Sequence, residues 1–159
     1  MSRPLRRVLV ADHDVETRKT LTWHLQEGGY FVLPAACAAD VLLQCEIEPP
    51  DAIIMDVRLP DMDGYDVCAQ LRHDPQCSDI TIILMTDAAD PMSRAYLARM
   101  VDYVGGDYFV AKPCDVNLLT KLIDDIVDPE DEPDDCHPTA SPTRVVWPTT
   151  RPRNASFTC

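Results

Sequence analysis

Pro50-Asp51-Ala52-Ile53-Ile54-Met55-Asp56-Val57-Arg58-Leu59-Pro60-Asp61-Met62-Asp63-Gly64 is the stretch on which the fold of this chain turns. Ile53, Ile54 and Met55 run without polar alternation, as a strand does when both its faces are covered in a parallel sheet. The run ends on Asp56, and Pro60 and Gly64 mark the turn beyond it. In open α/β sheets, ligands bind in the crevice beyond the carboxyl ends of the strands. A carboxylate there is costly if sealed in and useful if it opens into such a crevice. Asp56 is therefore the first candidate for chemistry.

Outward from this strand the pattern alternates. Arg7 to Ala11 reads as a first buried strand. Asp14 can cap a helix that carries Val15, Arg18, Leu21, Thr22 and Leu25 on one side and stops at Gly28-Gly29. Tyr30 to Leu33 reads as a second strand closed by Pro34, and Ala38 to Glu46 as a second helix with Val41, Leu42 and Cys45 inward. Pro49-Pro50 then breaks the helix. After the opening stretch a helix is expected over Tyr65 to Arg72 and a strand over Ile80 to Met85. A further helix over Pro91 to Asp102 and a turn at Gly105-Gly106 lead to a strand over Tyr108 to Ala111. Asp115 caps a last helix that runs to about Val127. Five alternations of this pitch predict an α/β fold with a five-stranded parallel sheet and helices on both faces, because right-handed crossovers put them there.

Residues 1–127 thus read as one domain, and residues 128–159 as an extension. The extension carries prolines at 129, 133, 138, 142, 148 and 152, an acidic part from Asp128 to Asp135, and later Arg144, Arg151 and Arg153. Such a segment cannot bury a core and is expected to be disordered or only locally ordered. Val145-Val146-Trp147 is its one apolar anchor, suited to docking on a partner or on its own domain.

Composition narrows the class. The chain has 159 residues, 46% of them apolar, which suits a single core. The formal charge of −13 disfavours nonspecific binding to nucleic acid and is compatible with cation binding. No apolar run approaches the ~18 residues of a membrane helix. The apolar segment Val8 to Ala11 is too short for a signal-peptide core, so a cytoplasmic location is expected, with no nucleic acid and no membrane as partner. The seven cysteines include no C-x-x-C and fall mostly in apolar stretches, so they read as reduced core residues.

The strand ends converge on one chemistry. The first supplies Asp12, followed by His13 and Asp14; the third Asp56; the fourth Thr86; the fifth Lys112, followed by Pro113. In a parallel sheet these lie at one edge. Carboxylates suit a hard cation such as Mg²⁺, while a hydroxyl and an ammonium suit phosphoryl oxygens. An aspartate in such a place can be the nucleophile itself, forming an aspartyl phosphate.

With these residues in hand, the chain resembles the receiver domain of two-component response regulators, the group that includes the chemotaxis regulator. The resemblance rests on Val8-Leu9-Val10-Ala11-Asp12-His13-Asp14 with Arg18, on Met55-Asp56 with Pro60, Met62, Asp63 and Gly64, on Leu84-Met85-Thr86, and on Lys112-Pro113. It covers about residues 5 to 127. It implies a doubly wound, flavodoxin-like sheet of strand order 2-1-3-4-5. It also implies a phosphorelay role, in which Asp56 accepts a phosphoryl group from a histidine kinase or a histidine phosphotransfer protein with Mg²⁺ bound. By the same resemblance Asp12 and Asp56 hold the metal, Arg58 offers it a backbone carbonyl, and Thr86 and Lys112 bind the phosphoryl group. Thr86 and Phe109 would then form the switch, which remodels the partner face made by the fourth helix, the fifth strand and the last helix. The domain would be an acceptor rather than a turnover enzyme.

Three departures qualify these expectations. His13 stands where the family has its second acidic residue, and imidazole is a poor ligand for Mg²⁺. Three outcomes follow: weaker Mg²⁺ binding through Asp12, Asp56 and water; Asp14 turning in as a second carboxylate; or a non-phosphorylated pseudo-receiver acting as an interaction module. An imidazole ligand would suit zinc or manganese, but no second His or Cys stands near His13 in the sequence. Asp87 follows Thr86 where a small residue is usual, and Cys114 follows Pro113 where a large apolar one is common. A phosphatase of the haloacid-dehalogenase kind is disfavoured, since Val15-Glu16 follows Asp14 in place of Gly-Thr.

Overall fold

The computed structural model describes residues 6–87, 107–112, 115–127 and 144–146. The expected helix over Pro91 to Asp102, the Gly105-Gly106 turn, Pro113 and Cys114 lie outside these residues. In chain order the elements are β1 (Arg7–Ala11), α1 (Val15–Glu27), β2 (Phe31–Ala35), α2 (Ala38–Ile47), β3 (Ala52–Asp56), α3 (Gly64–His73), β4 (Thr81–Asp87), β5 (Tyr108–Lys112), α4 (Val116–Val127) and β6 (Arg144–Val146).

The sheet runs β2-β1-β3-β4-β5 with every pair parallel, as expected for a doubly wound fold, and β6 adds a sixth parallel strand beside β5. Its central strands show why no polar alternation was visible. Leu9, Ala11, Ile53, Met55, Ile82, Leu84 and Phe109 pack on one face against α2 and α3. Val8, Val10, Ala52, Ile54, Ile83, Met85 and Val110 pack on the other against α1 and α4. Both sets of the two-residue repeat are buried, so both must be apolar.

Helix α1 begins and ends where its sequence signals stand. The Asp14 side chain accepts from the Thr17 backbone N–H at 3.1 Å, and Gly28 closes the helix. Gly29 follows at φ 90°, a conformation that favours glycine. Strand β2 departs from expectation, since it passes through Pro34 to Ala35 rather than stopping before it. It is an edge strand, and there a missing N–H need cost no ladder bond. Strand β4 also runs further than expected, to Asp87. The Arg72 guanidinium fixes its start by donating to the Ser78 and Ile80 carbonyls and to the Asp107 carboxylate, each at 2.7 Å. The extension 128–159 contributes β6, which pairs Tyr108 with Arg144 and Val110 with Val146. The rest of that segment lies outside the described residues. No described helix is long and apolar enough to cross a membrane.

Helix α2 is capped from a distance. Its own N-cap residue, Cys37, makes no side-chain cap bond. Instead Asp61, from the loop after β3, accepts from the Ala38 and Ala39 N–H groups at 2.8 and 2.9 Å. These two bonds hold the Asp61 carboxyl below its usual range. A depressed acid stabilises the fold above its unfolded value, about 3.9, and that contribution is lost as pH falls through the lower folded value. Asp61→Asn is therefore expected to melt earlier than wild type at neutral pH. The gap should close below about pH 4, and thermal melts across acid pH will measure it.

Candidate functional site

The parallel register brings the strand ends to one edge. Ala11 pairs with Met55, Asp56 with Met85, Thr86 with Ala111, and Asp87 with Lys112. Asp12, immediately after β1, is fully buried, and Asp56 is 4% exposed. The Lys112 ammonium lies between them, 2.5 Å from Asp12 Oδ2 and 3.0 Å from Asp56 Oδ2. Burial works hardest against its charge, but the hydrogen bonds and charges of Asp12 and Asp56 outweigh it and raise its pKa above the usual lysine range.

Backbone donors hold both carboxylates in place. Asp12 Oδ1 accepts from the Asp14 N–H at 2.8 Å, and Asp56 Oδ1 accepts from the Arg58 N–H at 3.0 Å. The Arg18 guanidinium braces the turn after β1 by donating to the Asp12 carbonyl at 2.6 Å. The two Asp56 oxygens are consequently not equivalent. One is tied to the loop, and the other faces Lys112 and His13.

His13 projects into the same cleft. Its Nδ1 is 3.2 Å from Asp56 Oδ2 and 3.7 Å from Asp12 Oδ1, and its side chain is 55% exposed. The neighbouring Asp14 carboxylate is turned away to α1, where it accepts from the Thr17 N–H and hydroxyl. These bonds hold it below the usual carboxylate range. Of the two residues that could complete a metal site, His13 lies in the cluster and Asp14 caps the helix.

The residues present fit a divalent cation. Asp12, His13 and Asp56 each offer a ligand atom, and these atoms lie within 4.8 Å of one another. Two buried carboxylates around one ammonium leave the cluster net negative, and Mg²⁺ is bound by one or two carboxylates plus water. The cluster opens into a cleft of about 670 Å³ that Arg58, Asp87 and Lys112 also line. Thr86 is 2% exposed at the end of β4, and Phe109 is buried opposite Leu84 on the α2–α3 side of the sheet. The Arg58 backbone pairs with Asp63 in an isolated antiparallel bridge, which shapes the loop below Asp56.

Gly64 sets the floor of this loop. Its N–H donates to the Val57 carbonyl at 2.8 Å. A Cβ placed on it would stand 2.8 Å from the Asp56 carbonyl oxygen and 2.9 Å from Val57 Cα. Both are backbone atoms, so the end of β3 itself would have to move. Gly64→Ala is expected to destabilise the protein by about 1–3 kcal/mol, the usual cost of overpacking, and urea unfolding will read it.

The sequence reading did not find the Asp61 cap or the Arg72–Asp107 tie. Each joins residues far apart in the chain, and no local pattern announces them.

Comparison with known proteins places this geometry. A family model described as a response regulator receiver domain matches residues 8–124. The probable transcriptional regulator ycf27 of Guillardia theta is 36% identical over 107 residues, which are 67% of this chain and 39% of that protein. The alkaline phosphatase synthesis transcriptional regulatory protein PhoP of Bacillus subtilis is 34% identical over 121 residues, 74% of this chain and 48% of that protein. The chain thus spans less than half the length of these curated relatives. Among solved structures, a putative response regulator from Chloroflexus aurantiacus superposes with a TM-score of 0.69 at 28% identity, covering 77% of this chain and 98% of the other. The chemotaxis response regulator CheY4 of Vibrio cholerae gives 0.68 at 25% identity, with the same coverage.

Proposed function

Because the chain belongs to the response-regulator receiver-domain family, we propose that it takes a phosphoryl group on Asp56 from a histidine kinase or a histidine phosphotransfer protein, and so switches the binding of an output partner. Asp12, Asp56 and Lys112 form the active-site cluster of receiver domains that accept a phosphoryl group and signal through partner binding, and His13 joins it where the family has a second acidic residue. The observation that carries the reading is the Lys112 ammonium bridging two buried carboxylates at the mouth of an open cleft.

The roles follow from the positions. An Asp56 oxygen attacks the phosphorus of the donor phosphoimidazole. The P–N bond breaks as the P–O bond forms, and the departing imidazole takes up a proton. Asp12 and Asp56, with the Arg58 backbone carbonyl, would hold Mg²⁺, which would supply positive charge to the phosphoryl oxygens. Lys112 exchanges one carboxylate contact for a phosphoryl oxygen, which keeps its charge paired. Thr86, one residue beyond the position that pairs with Asp56, offers its hydroxyl to the same group. Phe109, buried on the neighbouring strand, follows Thr86 and transmits the change to the face around β5 and α4. Residues 1–127 form the receiver, 128–159 the extension, and the location is cytoplasmic with neither nucleic acid nor membrane as partner.

Incubation with an acyl phosphate and Mg²⁺, followed by intact mass, tests this. A metal-dependent phosphate adduct is expected. The second reading is a pseudo-receiver that binds partners without phosphorylation. It draws support from His13 in the cluster and from the commitment of Asp14 to its helix cap. Absence of an adduct, with acyl phosphate and with a histidine kinase at high Mg²⁺, would establish that second reading and sink the first.

A further inference from the structure

We propose that His13 is the residue that sets metal choice at this centre, tilting it from Mg²⁺ toward borderline first-row divalent cations of the Co²⁺, Ni²⁺ and Zn²⁺ type. The inference rests on the receiver reading only for the cleft it concerns; the cation preference itself is argued from the ligand atoms.

The donor set is two carboxylates and one imidazole. His13 Nδ1 lies 3.2 Å from Asp56 Oδ2 and 3.7 Å from Asp12 Oδ1. Around a cation with ligand bonds of about 2.1 Å, neighbouring donors stand about 3 Å apart at right angles and about 3.4 Å apart in a tetrahedron. The two measured separations bracket the second value, so the imidazole nitrogen needs only a small adjustment to share an ion with both carboxylates. The ring is half-exposed, so solvent rather than packed side chains borders much of it.

The alternative third carboxylate is engaged elsewhere. Asp14 Oδ2 accepts from both the Thr17 N–H and the Thr17 hydroxyl. Recruiting it would uncap α1, whereas recruiting His13 breaks no hydrogen bond that anchors a helix. Nitrogen is therefore the third side-chain donor that comes at least cost.

Donor chemistry decides the rest. Mg²⁺ demands oxygen ligands in near-octahedral geometry and gives up water reluctantly, so an imidazole adds little to its binding. Imidazole suits zinc, nickel and their neighbours, whose affinities for mixed nitrogen and oxygen sites also rise along the first row. Carboxylates alone already favour these ions over Mg²⁺ to some degree. The contribution of His13 is the excess above that background, so the ratio of affinities, and its change on substitution, is the quantity to measure.

Co²⁺ is a suitable probe, because its visible ligand-field bands report nitrogen coordination directly. Titrating the full chain with Co²⁺, and then displacing it with Mg²⁺, gives the ratio. His13→Asp is expected to lower the Co²⁺-to-Mg²⁺ ratio by at least about tenfold, the lower end of what alterations around metal ligands produce. His13→Gln removes the nitrogen without adding charge; it should weaken Co²⁺, change the bands, and lower Mg²⁺ affinity much less than Co²⁺ affinity. Asp56→Asn should lower both affinities, which locates the ion in this cleft. A ratio and spectrum unchanged in both His13 variants would overturn the proposal. So would loss of Mg²⁺ affinity in His13→Gln equal to the loss of Co²⁺ affinity. These binding measurements need no phosphodonor, so failure of phosphorylation and failure of the metal preference are read separately.

Discussion

Asp56→Asn is expected to abolish the phosphoryl adduct completely. The carboxamide has nearly the shape of the carboxylate, and its oxygen can still accept from the Arg58 N–H that holds the side chain now. What it lacks is the anionic oxygen that must form the new P–O bond. The variant should stay folded, because it removes one of the two buried carboxylates that crowd around Lys112. Intact mass after incubation with acyl phosphate and Mg²⁺ gives the answer, with circular dichroism as the check on folding. An adduct that survived in folded Asp56→Asn would place the acceptor elsewhere and remove the basis for every role assigned to the neighbouring residues. Asp12→Asn is the informative companion. It leaves the nucleophile in place and weakens the metal site, so its adduct should form slowly rather than vanish.

The largest effect on stability is expected from Lys112→Met. Exposed ion pairs contribute roughly 0–1 kcal/mol, whereas breaking a buried pair by removing one partner costs about 3–5 kcal/mol. The side chain of Lys112 is 21% exposed, and those of Asp12 and Asp56 are 0% and 6%. The second case applies, because the substitution leaves two buried carboxylates without their ammonium. Denaturant unfolding in the presence of a chelator should show a loss of this size. Added Mg²⁺ should restore part of it by binding the folded state alone. The double variant with Asp56→Asn should be less destabilised than the two single effects predict, because only one uncompensated charge then remains. A loss under about 1 kcal/mol would mean that water screens the cluster as it does a surface pair.

The parts of this architecture that were legible beforehand are those whose signals are local. Ile53, Ile54 and Met55 announced a doubly covered strand because both faces of β3 are buried. Asp14 and Gly28 announced the ends of α1 because a cap is a short-range contact. The convergence of Asp12, Asp56 and Lys112 followed once the strands were taken as parallel, since register then places their ends together. Pro34 misled the reading of β2, because its position at the sheet edge is a property of the whole fold. Asp61 was invisible as a cap because its partners, Ala38 and Ala39, lie on an earlier helix. The direction of His13 could not be read either. Its departure from the family pattern was plain, but whether the ring enters the cleft depends on the turn between Asp12 and Asp14, which Arg18 and the Asp14 cap hold.

Strand β6 has a bearing on how any outside strand could approach this protein. Without it β5 would present an open ladder of backbone donors and acceptors, the kind of border on which chains add to one another. Segment 144–146 covers that border along Tyr108 to Val110 from within the same polypeptide. A covalently linked competitor acts as though present at roughly millimolar concentration. A free strand reaching for β5 must therefore bind well enough to evict an occupant that cannot diffuse away. Weak, promiscuous pairing on β5 is thereby suppressed, and only a ligand with contacts beyond the backbone ladder displaces β6 from it.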